Sequence, residues 1–234
     1  MKNLKLSLLA TLALVGASFA TTINGPSLQN ILNGITNDGT SSVDVNADQI
    51  ALDKYWQLTA SGTSAATMII EVAGFHSENV FGLYDVANPA NKVILFNGAA
   101  TGGDQAAVSI KASGAVYINF QPTGVVFASH DFGYFLQGPG GTFYSDDALN
   151  PGGKDHLVSF QGKGDLVTLP TLSSGEWVPN EYVLGWEDVA EGDNDFDDMV
   201  LMVESVQPVP EPTTMGLMGL GLVGLVFAAR RKKA

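Results

Sequence analysis

The chain has 234 residues, no cysteine, and 24 acidic side chains against 11 basic ones. That composition excludes disulfides, thiolate metal sites and a cysteine nucleophile. Two of the cations lie near the N-terminus (Lys2, Lys5) and four at the extreme C-terminus (Arg230, Arg231, Lys232, Lys233). Between them, five lysines face all 24 acids, a net charge of −19. A field of that sign repels nucleic acid and anionic lipid and attracts cations.

In chain order, Lys2 and Lys5 form a basic start, Leu6 to Val15 an apolar run, and Ser18-Phe19-Ala20 places small residues at the −3 and −1 positions. This is the pattern of a secretory signal peptide over residues 1–20, cut after Ala20, so the secretion translocon is an expected partner. A helix is expected next. Ser27 serves as its N-cap, and Leu28, Ile31, Leu32 and Ile35 fall at i, i+3, i+4 and i+7.

After the helix come short runs rich in β-branched and aromatic residues: 55–59, 67–73, 80–84, 92–96, 107–111, 115–120, 133–137, 156–161, 182–186 and 199–204. Gly, Pro, Asn and Asp clusters separate them, as at Gly138-Pro139-Gly140-Gly141 and Asn150-Pro151-Gly152-Gly153. Short strands at roughly ten-residue spacing, without helical periods between them, predict a mainly β, jelly-roll-like antiparallel sandwich with one short N-terminal helix. The domain is expected over 21–206, followed by a Pro-rich stalk over 207–212.

The densest chemistry lies between Glu187 and Asp198, where seven carboxylates fall within twelve residues. Crowding so many like charges is costly unless something positive sits among them. Hard oxygen ligands on a Gly-containing loop suit Ca²⁺, which takes six to eight of them; Mg²⁺ usually keeps several waters. Asp193, Asp195 and Asp197 fit the first acidic positions of an EF-hand loop, but Asp198 stands where its sharp turn needs Gly, and no entering helix precedes it. A β-hairpin loop between runs 182–186 and 199–204 fits better. Asp193, Asp195 and Asp198 are its expected metal ligands, with Glu187 or Asp188 opposite, and Trp186 and Phe196 pin the loop. A solvated acidic loop without metal is the alternative.

The tail reads Pro210-Glu211-Pro212, an apolar stretch from Thr213 to Ala229, and a basic end. Seventeen apolar residues make roughly 25 Å of helix, the short end of what spans a bilayer. The four terminal cations would hold that end in the cytoplasm. A rigid turn, a short span over 213–234 and a basic stop, in this order, resemble the PEP-CTERM tail of Gram-negative bacteria. The resemblance implies recognition and cutting by the membrane enzyme exosortase. It also implies a transient inner-membrane anchor and a final place at the cell surface or in the extracellular matrix.

Gly185-Trp186-Glu187-Asp188 followed by Gly192-Asp193-Asn194-Asp195-Phe196-Asp197-Asp198 resembles the signature of an uncharacterised acidic β-domain family. That family occurs in bacterial surface proteins, including calcium-dependent adhesins. Phe132-Gly133-Tyr134, Gly138-Pro139 and Asp155-His156 match its upstream part, so the resemblance spans roughly 125–204. It implies a secreted β-domain with Ca²⁺ and no enzyme activity.

The residues themselves offer little for catalysis. There are three histidines, His76, His130 and His156, with no Gly-x-Ser-x-Gly elbow and no His-Glu-x-x-His signature. Asp155 and His156 are neighbours on an expected strand and so point to opposite faces. No enzyme is expected. A structural or adhesive role in exopolysaccharide or biofilm comes first. A carbohydrate-binding module is the second reading, and Tyr55, Trp56, Phe143, Tyr144 and Trp177 are its candidate platform.

Overall fold

A computed structural model describes residues 20–59, 62–71 and 77–210 of the chain. The expected signal peptide (apart from Ala20) and the expected membrane span over 213–234 lie outside them. Among the described residues no helix is long and apolar enough to cross a membrane.

Among the described residues one α-helix, α1 (Ser27–Ile35), is followed by fifteen strands. They are β1 (Trp56–Leu58), β2 (Thr63–Glu71), β3 (Val80–Asp85), β4 (Asn88–Phe96), β5 (Gln105–Ile110), β6 (Ala115–Ile118), β7 (Gln121–Val126) and β8 (Phe132–Gly138). After these come β9 (Gly141–Tyr144), β10 (Leu157–Gln161), β11 (Leu166–Val167), β12 (Gly175–Glu176), β13 (Glu181–Trp186), β14 (Met199–Glu204) and β15 (Val206–Pro208). All pairings are antiparallel. One sheet runs β15-β1-β8-β3-β4, with β9 paired to β8; the other runs β10-β13-β14-β2-β5-β6-β7. The mainly β antiparallel architecture with one helix matches expectation.

The two sheets enclose an inner core, and aromatic edges bridge it. Trp56 of β1 meets Tyr182 of β13 edge-on at 5.0 Å, and Phe81 of β3 meets Trp186 of β13 at 6.0 Å. Such pairs add roughly 0.5–1.5 kcal/mol beyond the area they bury. A second core forms on the other face of the seven-stranded sheet. There α1 lays down Leu28, Leu32 and Ile35 beside Val43, Val45, Trp177 and Phe196. Each fully buried aliphatic contributes roughly 1.5–3 kcal/mol.

The apolar run of β14 follows from this layering. Met199, Leu201 and Val203 enter the inner core, while Val200 and Met202 enter the helix-side core. With apolar partners on both faces, strand alternation gives an unbroken hydrophobic sequence.

One local expectation needs correction. Ser27 does not cap α1: Pro26 holds the cap position, and the Ser27 hydroxyl donates to the carboxylate of Asp197. The helix ends where Thr36 turns extended, its N–H and hydroxyl both satisfying the Leu32 carbonyl. At the end of the described residues, Val206, Gln207 and Pro208 of β15 pair with Leu58, Gln57 and Trp56. Pro208 fits because β15 is an edge strand, where a missing N–H is tolerated.

Candidate metal site

Strands β13 and β14 pair from Glu181↔Glu204 to Trp186↔Met199, so residues 187–198 are the loop of a hairpin. Strands, not helices, enter and leave it. The loop is held from both sides of its sheet. Trp186, at its start, belongs to the inner core, and Phe196, near its end, belongs to the helix-side core. Both are fully buried. Gly185 permits this seating, because a Cβ there would lie 2.6 Å from the Phe196 carbonyl oxygen and 3.3 Å from Leu28. Asn194 and Phe196 adopt positive φ, 60° and 54°, which turns the backbone back toward Glu187.

That path brings three carboxylates together. One oxygen each of Glu187, Asp193 and Asp195 lie within 4.8 Å of one another. Glu187 is only 2% exposed, Asp195 is half-buried and Asp193 is exposed. Glu187 Oε1 accepts the Phe196 N–H at 2.9 Å. Glu187 Oε2 is buried and has no hydrogen-bond partner. A Cβ on residue 192 would stand 1.7 Å from that oxygen, so glycine alone leaves it room.

Two further expected ligands have partners within the protein. Asp198 accepts the backbone N–H of Asp188 at 3.0 Å, and Asp188 accepts from Asn79 Nδ2 at 3.0 Å. They tie the two ends of the loop together and stand outside the group formed by Glu187, Asp193 and Asp195.

The electrostatics follow the geometry. Burial pushes the Glu187 carboxyl up to about 7, and the charges of Asp198, Asp193 and Asp195 push the same way against the Phe196 N–H. Burial and then the neighbouring Asp197 and Asp193 raise Asp195. Burial is also the largest cause of the rise at Asp198. A buried carboxylate with an unpartnered oxygen and like-charged neighbours is relieved by a proton or by a cation. Lys154 reaches the loop, but at its rim: it pairs with exposed Glu191 at 2.8 Å and donates to the Ala190 carbonyl at 2.9 Å.

Two supports, from Asn24 and Ser27, were not legible in the sequence. Asn24 donates through its side chain to the Asp193 carbonyl and through its backbone to the Asn194 carbonyl, and Ser27 holds Asp197. The N-terminal segment thus straps the acidic loop. His156 sits under Glu187: the Glu187 N–H donates to the His156 carbonyl at 3.1 Å, and His156 Nδ1 lies 3.3 Å from the Glu187 carbonyl. Its ring stacks on Phe143, with centroids 3.9 Å apart. Asp155 does not orient His156; its carboxylate accepts from Thr21 and from the Leu157 N–H.

The expected aromatic platform is not present as such. Trp56, Phe143 and Trp177 are core residues with at most 1% exposure. Tyr55 and Tyr144 are half-buried; Tyr55 donates to Asp146, and Tyr144 packs edge-on against Tyr84 with the Lys92 ammonium over its ring.

Comparison with known families gives two matches. Residues 208–232 match the PEP-CTERM protein-sorting motif, beginning where β15 ends. Residues 101–206 match a domain of unknown function, DUF4114. No curated protein matches the chain. The second match starts before β5, yet β2 lies between β14 and β5 in the same sheet. Without β2 that sheet would divide in two, so the folding unit includes residues upstream of the matched span.

Proposed function

Because this chain is a PEP-CTERM protein with an uncharacterised DUF4114 domain, we propose that it is a calcium-stabilised structural or adhesive component of a Gram-negative cell surface. Its setting is exopolysaccharide or biofilm. The coarser part follows from the sorting motif, which implies export, processing by the membrane-associated exosortase, and placement at the cell surface or outside the cell.

The calcium reading rests on one observation: Glu187 Oε2, buried and unpartnered, beside oxygens of Asp193 and Asp195. Those three carboxylates would hold the ion, which would supply the positive charge that the loop lacks. All-oxygen donors on a loop favour Ca²⁺ over Zn²⁺ or copper, which prefer nitrogen and sulfur. The domain acts without catalysis in this reading, in which Glu187, Asp193 and Asp195 hold an ion and His156 contacts the backbone carbonyl of Glu187. Recognition of extracellular polysaccharide remains the alternative, favoured only by the half-buried Tyr55 and Tyr144.

Two experiments test this reading. Asp193→Ala and Asp195→Ala should each abolish calcium binding measured by titration calorimetry; unchanged binding in both would move the site elsewhere. Replacing Pro210-Glu211-Pro212 with alanines should leave uncut precursor in the inner membrane, whereas normal release would remove the sorting role of that motif.

A further inference from the structure

Cleavage after Ala20 leaves Thr21 as the first residue of the exported chain, and Thr21 is already fixed in the fold. Its hydroxyl donates to the Asp155 carboxylate, and its carbonyl accepts from Gln49 Nε2 at 2.7 Å. Two residues on, the Ile23 N–H donates to Asn46 at 3.3 Å, and the Ile23 side chain is 4% exposed. Chain ends ordinarily fray unless something ties them down. Here the first residue after the expected cut is already tied.

The carboxylate at this place is crowded by others. Burial is the largest cause raising Asp155, opposed by the Thr21 hydroxyl, the Leu157 N–H and the charge of Lys54. Asp53 and Asp147 are raised by burial and then by the charge of Asp155. Lys54 also faces Asp146, at 3.9 Å. Three carboxylates, Asp146, Asp147 and Asp155, therefore draw on this lysine.

Signal cleavage changes the charge at one atom in this neighbourhood. Water adds across the Ala20–Thr21 bond; the carbonyl carbon keeps the oxygen as a carboxylate on Ala20. The Thr21 nitrogen leaves as an amine and takes a proton near neutral pH, the more readily beside a carboxylate. In the uncut chain that nitrogen is a neutral amide on the same residue whose side chain touches Asp155. We infer that removal of the signal peptide creates an ion pair between the new α-ammonium of Thr21 and Asp155, so that maturation completes this acidic pocket. The pair anchors the segment that leads, through Asn24 and Ser27, to α1 and the strap over the acidic loop. Folding before export is then less favourable than folding after it.

The inference rests on the cut after Ala20 and is independent of calcium. The test uses the full chain exported by a bacterial host and purified in detergent, its N-terminus read by mass spectrometry. A second chain carries Gly-Gly inserted after Ala20, which moves the ammonium away from Asp155. The insertion should lower the melting temperature by about 2–4 °C, the size expected for one charge pair in a domain of this length. In an Asp155→Asn background the same insertion should have no effect. Equal losses in both backgrounds would overturn the pairing, and a mature chain starting elsewhere would overturn its premise. If Asp155→Asn does not fold, the α-amino pKa decides. It should exceed the ordinary 7.7–8.0 in the processed chain and return there after the insertion; an ordinary value in the processed chain would refute the pair.

Discussion

The acidic loop and the group around Asp155 crowd like charges comparably, yet their partners differ. Around Asp155 each available compensation comes from the chain itself: the Thr21 hydroxyl, the Leu157 N–H and Lys54. In the loop, the N–H of Phe196 serves one oxygen of Glu187, while the other is left buried without a partner beside Asp193 and Asp195. One cluster is closed by protein; the other leaves a gap of the right charge for an ion. Density of acids in a sequence therefore says little about metal binding until the internal donors have been assigned.

The comparison can be broken most severely at the loop's anchor. Phe196→Ala removes a fully buried ring shared with Leu28 and Val158, and should cost about 3–5 kcal/mol in chemical unfolding. If Phe196 also sets the loop's path, the calcium response should vanish with it. A stable variant that still responds would detach the site from the helix-side core.

The next largest effect separates the convergent carboxylates from their neighbours. Glu187→Gln and Asp195→Asn should lose calcium stabilisation, which for a native-state ligand at a hundredfold excess over Kd is about 2.7 kcal/mol. Asp198→Asn should keep most of it, because Asp198 accepts from the Asp188 N–H outside the group. A thermal-shift series in calcium ranks the three; loss in Asp198→Asn with retention in Asp195→Asn would reverse the assignment.

The pH dependence sharpens the contrast further. Glu187 is raised to about 7 and Asp147 to about 6, so the folded protein keeps protons that the unfolded chain has released. Their stabilising contribution is fully present below about pH 4 and is lost as pH rises through about 6–7. Asp48 and Asp165 lie below their ordinary range, helped by Lys163 and by hydrogen bonds from the 41–44 segment, and act oppositely as pH falls below about 4. Without metal, stability should therefore decline between about pH 4 and 7, and calcium should remove the part of that decline due to the loop. A decline of equal size with and without calcium would show that the loop carries none of it.

The smallest change is remote from both clusters. Asn119 and Phe120 make the two-residue turn between β6 and β7, with φ of 49° and 64°, and Phe120 is 79% exposed. A bulky residue pays a steric penalty there that glycine avoids, and Asn-Gly is the favoured pair for this turn. Phe120→Gly should raise stability by about 1 kcal/mol and leave the calcium response unchanged.

These particulars show what the sequence disclosed. The run 199–204 read as a strand, and the acidic run between two β-like segments placed the hairpin loop. Those signals are local, written in consecutive residues. Which three of the seven carboxylates converge was not local. It depends on the positive φ of Asn194 and Phe196, on the room left by Gly192, and on Asn24 and Ser27 arriving from far upstream. Ser27 read as a helix cap for the same reason, since its actual partner is Asp197. Trp56, Phe143 and Trp177 read as a possible platform because a sequence does not distinguish an aromatic in a core from one facing solvent.

The most direct test is the melting temperature of the metal-free protein in chelator, in magnesium and in calcium. The account predicts a calcium-selective rise that grows with concentration and disappears in Glu187→Gln. Identical melting in all three conditions would contradict it and leave Glu187 Oε2 as a protonated, solvent-shielded oxygen.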